Sequence, residues 1–253
     1  MLKVSRHTVK VGDSNVRYQM IGQGDPVILI HGLSGSTRWW MRNVQSLAQH
    51  HCVYLIDLPG FGSMSRRNHA YMRFALTKAG SWLLAWMDAI SLKQAHFIGH
   101  SMGGYICMWI AAHRPDVVMR LVLVAPAVMP QVRSVFGYFI PLLITVLYLK
   151  PRFLPILVFD ALRAGPLMLL RAAQDLLTQD VHEEMKAITA PTLLVWGEND
   201  SLVPPTLGHI LRENLVNSRL LILKRAGHVS MFDQYQEFNE AVNAFLSGET
   251  VGE

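Results

Sequence analysis

Six short runs of branched and aromatic apolar residues, at 27–30, 53–56, 95–98, 121–124, 192–195 and 220–223, alternate with stretches whose apolar residues recur every three to four positions. No other feature narrows the fold so far, because this alternation is how a parallel sheet flanked by helices is written into a chain. The runs are nearly continuous in apolar residues, so they read as strands buried on both faces. Between them, Ala79, Leu83, Trp86, Met87 and Ile90 form one helical stripe. Tyr105, Trp109 and Ala112 begin a second, which Pro115 ends. An antiparallel pair, about 8–11 and 16–20 around the turn 12–15, is expected to open the sheet and bring it to eight strands.

With 253 residues the chain has room for a sizeable core, and it is read as a single domain, 1–253. Hydrophobic residues make up 51% and charged residues 16%, which excludes an intrinsically disordered chain. The net charge is +5, but its longest basic cluster is Arg66-Arg67, so no nucleic-acid partner is expected. Two cysteines, Cys52 and Cys107, each in an apolar segment, read as buried thiols in a reducing compartment. Residues 1–15 alternate polar and apolar with no hydrophobic core for a secretory signal, so the mature chain is expected to begin near Met1. The longest uncharged stretch, 134–149, has 16 residues and contains Gly137 and Pro141. That is short of the ~20 needed to span a membrane. The expected location is cytoplasmic.

The alternation breaks between 129 and 188, where strand signals give way to an apolar helical region inserted between the sixth and seventh strands. Pro130, Pro141, Pro151, Pro155 and Pro166 divide it into short helices.

Gly99-His100-Ser101-Met102-Gly103 fits G-x-S-x-G and falls where a strand run ends and a helix begins, the context that pattern requires. A serine on such a tight turn points outward at the carboxyl edge of the sheet, and flanking glycines avoid collisions with strand and helix. A lone serine is a weak nucleophile and needs a base and a group to orient that base. Asp200 follows the strand run at 192 and His228 follows the run at 220. Strand ends on one edge of a parallel sheet converge, so loops from that edge can bring the three together. A developing oxyanion also needs backbone donors. Met102 N–H, at the positive end of its helix, is one candidate, and Leu33 N–H, in His31-Gly32-Leu33-Ser34-Gly35, is the other.

At this point the chain resembles the α/β-hydrolase superfamily over nearly its whole length outside the insertion. The resemblance is carried by His31-Gly32, Asp57-Leu58-Pro59-Gly60-Phe61-Gly62, the Ser101 motif with Gly104, the segment 191–200 with Pro204, and Gly227-His228 with Phe238-Asn239 and Phe245-Leu246. It implies an α/β-hydrolase fold, a mostly parallel eight-stranded sheet flanked by helices with an inserted helical cap. It also implies Ser101 as nucleophile, His228 as base and then acid, Asp200 as orienting acid, Leu33 and Met102 as oxyanion donors, and no cofactor. Glu198 and Asp233 are the rival acids. Glu198 comes two residues early for the family pattern, and Asp233 lies beyond the histidine. His31 is expected to support the oxyanion loop, His100 to pack, and Asp57 to play a structural part. No metal-ligand spacing is present.

In this family the cap decides what reaches the nucleophile. Phe136, Phe139, Ile140, Leu143, Leu147 and Phe159 would suit an acyl chain, against the plainer reading that they only pack the cap onto the core. A third reading is transient contact of the cap with a lipid surface, with Arg133, Lys150 and Arg152 at its edges. The expected activity is a serine esterase acting on a small ester with a hydrophobic part. A carbon–carbon bond hydrolase, a thioesterase or a lactonase would use the same triad. Leu33-Ser34-Gly35 and His100 depart from the Gly-Pro-Gly and Asn typical of the carbon–carbon subgroup. A non-catalytic binder of an apolar ligand is the alternative of another class.

Overall fold

The computed structural model describes residues 3–65, 75–128, 137, 139–178 and 182–253. Eight strands form one sheet: β1 (Val4–Val11), β2 (Ser14–Ile21), β3 (Asp25–Ile30), β4 (His51–Ile56), β5 (Ala95–His100), β6 (Val118–Val124), β7 (Thr192–Gly197) and β8 (Ser218–Leu223). Their order across the sheet is β1-β2-β4-β3-β5-β6-β7-β8. Strands β3 to β8 run parallel, while β2 is antiparallel to both β1 and β4. The opening hairpin closes through a two-residue turn whose first central residue, Gly12, has a φ of +57°, a conformation glycine takes without steric cost.

Alternation along the buried strands builds two cores. Ile28, Ile30, Phe97, Leu121, Leu123, Leu194 and Trp196 face one side, with α2 (Leu76–Ala89), α3 (Met102–His113) and α8 (Pro205–Asn214). Val27, Leu29, Ile98, Val122, Val124, Leu193 and Val195 face the other, with α1 (Val44–Leu47), α9 (Ser230–Asp233) and α10 (Tyr235–Leu246). Residues one apart serve opposite faces, which is why these runs carry no polar alternation.

Among the described residues between β6 and β7 lie α4 (Phe139–Tyr148), α5 (Leu154–Ala164), α6 (Pro166–Leu177) and α7 (His182–Ala187). Proline sets several of their boundaries. Pro155 and Pro166 occupy first turns, where the missing N–H costs no helical bond, Pro141 is the third residue of α4, and Pro151 lies between α4 and α5. None of the described helices is long and apolar enough to cross a membrane.

Because β3 to β8 are parallel, the loops leaving Ile30, Ile56, His100, Gly197 and Leu223 all emerge at one edge of the sheet.

Candidate active site

Ser101 sits between the end of β5 and the start of α3 with φ 51° and ψ −114°, a conformation a side chain rarely adopts. Such strain costs of order 1–3 kcal/mol and persists only where the surroundings over-determine it. They do so here. The Ser101 amide donates to Val124 O at 2.9 Å, and Ser101 O accepts from Tyr105 N and Ala127 N at 3.1 and 3.0 Å. A Cβ on Gly99 would lie 2.4 Å from Gly103 O, and one on Gly103 would lie 2.4 Å from Ile30 O and 2.7 Å from His31 O. Only glycine at both positions lets α3 start this close to β3 and β5. Ser101 is 7% exposed at the resulting corner.

Asp200 follows β7 and His228 follows β8. Asp200 Oδ1 accepts from the amides of Leu202 and Val203, both at 2.9 Å, which aims Oδ2 at His228 Nδ1, 2.8 Å away. A carboxylate only accepts, so Nδ1 carries the proton and Nε2 keeps its lone pair. Both side chains are buried. The rival acids are held elsewhere. Asp233 Oδ2 accepts from Gly227 N at 3.0 Å, which braces the turn before His228, and burial raises its pKa above the ordinary carboxylate value. Glu198 is exposed and accepts from Arg225 N at 3.0 Å, joining the loops after β7 and β8.

His100 ties these pieces together. Its Nε2 donates to His228 O at 3.0 Å, and the two rings lie 4.8 Å apart between centroids. A Cβ on Gly32 would fall 2.7 Å from His100 Nδ1 and 3.2 Å from Ser101 Cβ, so the loop after β3 passes directly over the serine corner. Burial first, and then the neighbouring His228, push the His100 pKa well below the ordinary imidazole value, so it stands neutral beside His228.

That loop carries Leu33, half-buried against the core, and closes with Gly35 N donating to Gly32 O at 3.0 Å. His31 anchors it. Leu58 N donates to Nε2 at 3.1 Å, so Nδ1 carries the proton and donates to Gly32 O at 2.8 Å. Burial lowers its pKa, in keeping with a neutral ring that has no free nitrogen for chemistry. Met102 opens α3, so its amide has no acceptor within the helix and is available at the helix's positive end. Asp57 is likewise committed to structure, accepting from Thr37 N and Ser63 N at 2.7 Å each.

Of the residues expected to line an acyl site, Phe136 lies outside the described residues, as do the side chains of Phe139, Ile140, Leu143 and Leu147. Phe159 is 45% exposed, with the Arg38 guanidinium 4.3 Å above its ring and Arg163 at 5.7 Å, so it is not enclosed in a dry lining. Sequence reasoning missed Asp160. It is 1% exposed on α5, accepts from Ser36 Oγ at 2.6 Å and lies 3.6 Å from Arg38. An aspartate in the apolar run 154–162 was the signal. Among the described residues no group of three or more His, Cys, Asp or Glu could hold a metal.

The model of the Alpha/beta hydrolase family matches residues 27–241. The chain is 28% identical to the pimeloyl-[acyl-carrier protein] methyl ester esterase of Aeromonas hydrophila subsp. hydrophila, over 92% of this chain and 99% of that one. It is also 28% identical to the 2-hydroxy-6-oxononadienedioate/2-hydroxy-6-oxononatrienedioate hydrolase of Cupriavidus pinatubonensis, over 94% and 93%. Among solved structures, a membrane phospholipase A described as a bacterial virulence factor superposes with a TM-score of 0.83 at 26% identity, covering 97% of this chain and 86% of that one. With the family model matched over most of its length and the eight-stranded sheet in place, this chain belongs to the alpha/beta hydrolase family.

Proposed function

We propose that the protein is a serine esterase that cleaves carboxylic esters with a hydrophobic acyl or alcohol part through a covalent acyl-enzyme. The observation that carries this reading is the 2.8 Å bond from His228 Nδ1 to Asp200 Oδ2 at the sheet edge that also bears the strained Ser101. Ser101 Oγ attacks the ester carbonyl while His228 Nε2 takes its proton. Asp200 holds the ring in that tautomer and stabilises the imidazolium. The amides of Leu33 and Met102 receive the oxyanion. His228 then protonates the departing alcohol. A water activated by the same nitrogen releases the acid and restores Ser101. The helices between β6 and β7, within the insertion 129–188, serve as the cap that selects the acyl part. Resemblance to a methyl ester esterase and to a phospholipase A supports ester chemistry.

The carbon–carbon hydrolase relative is equally similar, so that substrate class is the second reading. His100 stands where that subgroup typically has Asn, and its bond to His228 O suits it to bracing the catalytic loop.

Initial rates on p-nitrophenyl esters from acetate to palmitate, for the wild type and Ser101→Ala in parallel, test the proposal. The expected result is turnover that peaks at medium or long chains and falls by about 10⁴ or more in the variant, because the triad acts as a unit. Absence of turnover on every ester, with turnover of a 2-hydroxy-6-oxo dienoate, would replace it with the second reading.

A further inference from the structure

We propose that the outer face of α5 and α6 docks on an anionic lipid surface, whichever bond the site cleaves. Surface helices normally turn polar residues to water and apolar ones to the core. Helix α5 departs from this: Ile156, Leu157 and Ala164 pack on the core, yet its outward face is apolar as well. Its one carboxylate, Asp160, is buried against Ser36, while Leu154, Val158 and Leu162, spaced four apart along one stripe, are exposed, Leu162 at 78%. Phe159 flanks that stripe. The corner at Gly165 leads directly into α6, whose Leu167 and Leu170 are exposed as well.

The charged residues along 150–171 that reach solvent are all basic. Lys150, Arg152 and Arg171 are exposed and Arg163 is half-buried, while Arg38 and Arg163 lie over the Phe159 ring. The only carboxylates in the two helices face inward. Asp160 binds Ser36, and Asp175 accepts from Leu76 N at 3.2 Å. A surface with acyl chains beneath and phosphates above meets both halves of this pattern: leucines enter the headgroup boundary and arginines pair with phosphate. A second copy of the chain does not meet it, because a two-fold contact through this patch would set cations against cations. Arg133, the other cation expected at the edge of the insertion, lies outside the described residues.

Co-sedimentation of the full chain with vesicles tests this, using phosphatidylcholine alone and phosphatidylcholine containing a minority of phosphatidylglycerol. The wild type should pellet with the anionic vesicles and lose binding as salt is raised. Leu162→Asp should weaken binding about tenfold or more. Arg163→Glu with Arg171→Glu should weaken it by at least about fivefold per cation. Both variants should keep the wild-type melting temperature and p-nitrophenyl acetate rate without vesicles, which separates failure at the surface from failure at the site. The proposal is overturned if the wild type stays in solution with both vesicles, or if Leu162→Asp pellets as the wild type does. It is equally overturned if the wild type is a dimer that Leu162→Asp splits, since a second copy would then own the patch.

Discussion

His96 gives a sharp test of what burial does to this chain. It lies on β5 at 3% exposure, its ring edge-on to His51 with centroids 5.7 Å apart, and no ring nitrogen of either histidine has a hydrogen-bond partner among the described residues. Burial first, and then the charge of His51, lower the His96 pKa to about 4. In the unfolded chain it titrates near 6.5. Between those values the unfolded state binds a proton that the folded state does not, so stability falls as the pH drops below about 6.5 and the loss is complete near 4. The whole shift is worth about 3.4 kcal/mol, of which roughly 1.8 kcal/mol is lost between pH 7 and pH 5. The lowered pKa values of His31, His51 and His100 act in the same direction, so the acid sensitivity of the wild type alone cannot isolate one residue. His96→Leu can, because it keeps an apolar side chain of similar size and has nothing to protonate. Urea unfolding followed by tryptophan fluorescence at pH 7 and pH 5 should show the wild type losing about 2 kcal/mol more than the variant. Equal losses would mean that His96 is hydrated or bonded in the folded state, and the reasoning from its burial would fail.

Four substitutions probe the site and its supports. Asp200→Asn keeps an oxygen for the Leu202 and Val203 amides but turns an amide N–H toward His228 Nδ1, forcing the proton onto Nε2; kcat on p-nitrophenyl acetate should fall about 10³ to 10⁴ with the melting temperature nearly unchanged. Gly103→Ala brings a methyl against two backbone carbonyls, those of Ile30 and His31, so α3 must back away from the loop bearing Leu33. A loss of about 1–3 kcal/mol in thermal unfolding and more than about tenfold in kcat should follow. Ser36→Ala removes the Ser36 Oγ hydrogen bond to the buried Asp160 and should cost about 1–3 kcal/mol. Adding Asp160→Leu should recover most of it, because the buried carboxylate, left with only the half-exposed Arg38 at 3.6 Å, is then gone, and simple additivity of the two changes in a melting-temperature cycle would refute that account.

The strands were legible because their constraint is local: a run buried on both faces is mostly apolar, as 27–30 in β3, 121–124 in β6 and 193–196 in β7 are. Their starts were not, since β6 begins at Val118 and β1 at Val4, where half-buried and exposed residues enter the ladder before the apolar run. Ser101, Asp200 and His228 could be picked out as residues at the ends of parallel strands, and the structure sets all three at the expected edge. Choosing Asp200 over Asp233 is a different matter, because both lie in loops near His228 and both are buried. What separates them is that two amides turn Asp200 Oδ2 toward the ring while Gly227 N holds Asp233 Oδ2. No residue pattern encodes that orientation. Asp160 was hidden for the same reason, since its partner Ser36 lies 124 positions away. Apolar character alone puts Phe159 in the lining, and the two guanidinium groups over its ring come from Arg38, in the loop after β3, and from Arg163, near the end of α5.

Three ties between the inserted helices and the rest of the chain fall where the site is built. Asp160 of α5 binds Ser36, three residues beyond Leu33. From α4, Thr145 Oγ1 donates to Ser201 Oγ at 2.9 Å, and Ser201 donates on to Pro141 O at 3.1 Å, so α4 is bonded to the residue next to Asp200. On α6, Met168 fills the space beside Gly60, in the loop whose Leu58 amide holds His31. Each contact is short in reach and ends on a loop that carries a site residue or its anchor. Displacing these helices therefore cannot leave the Leu33 loop and the Asp200 loop untouched, and a substrate or surface that shifts α5 pulls on Ser36, in the loop that passes over Ser101.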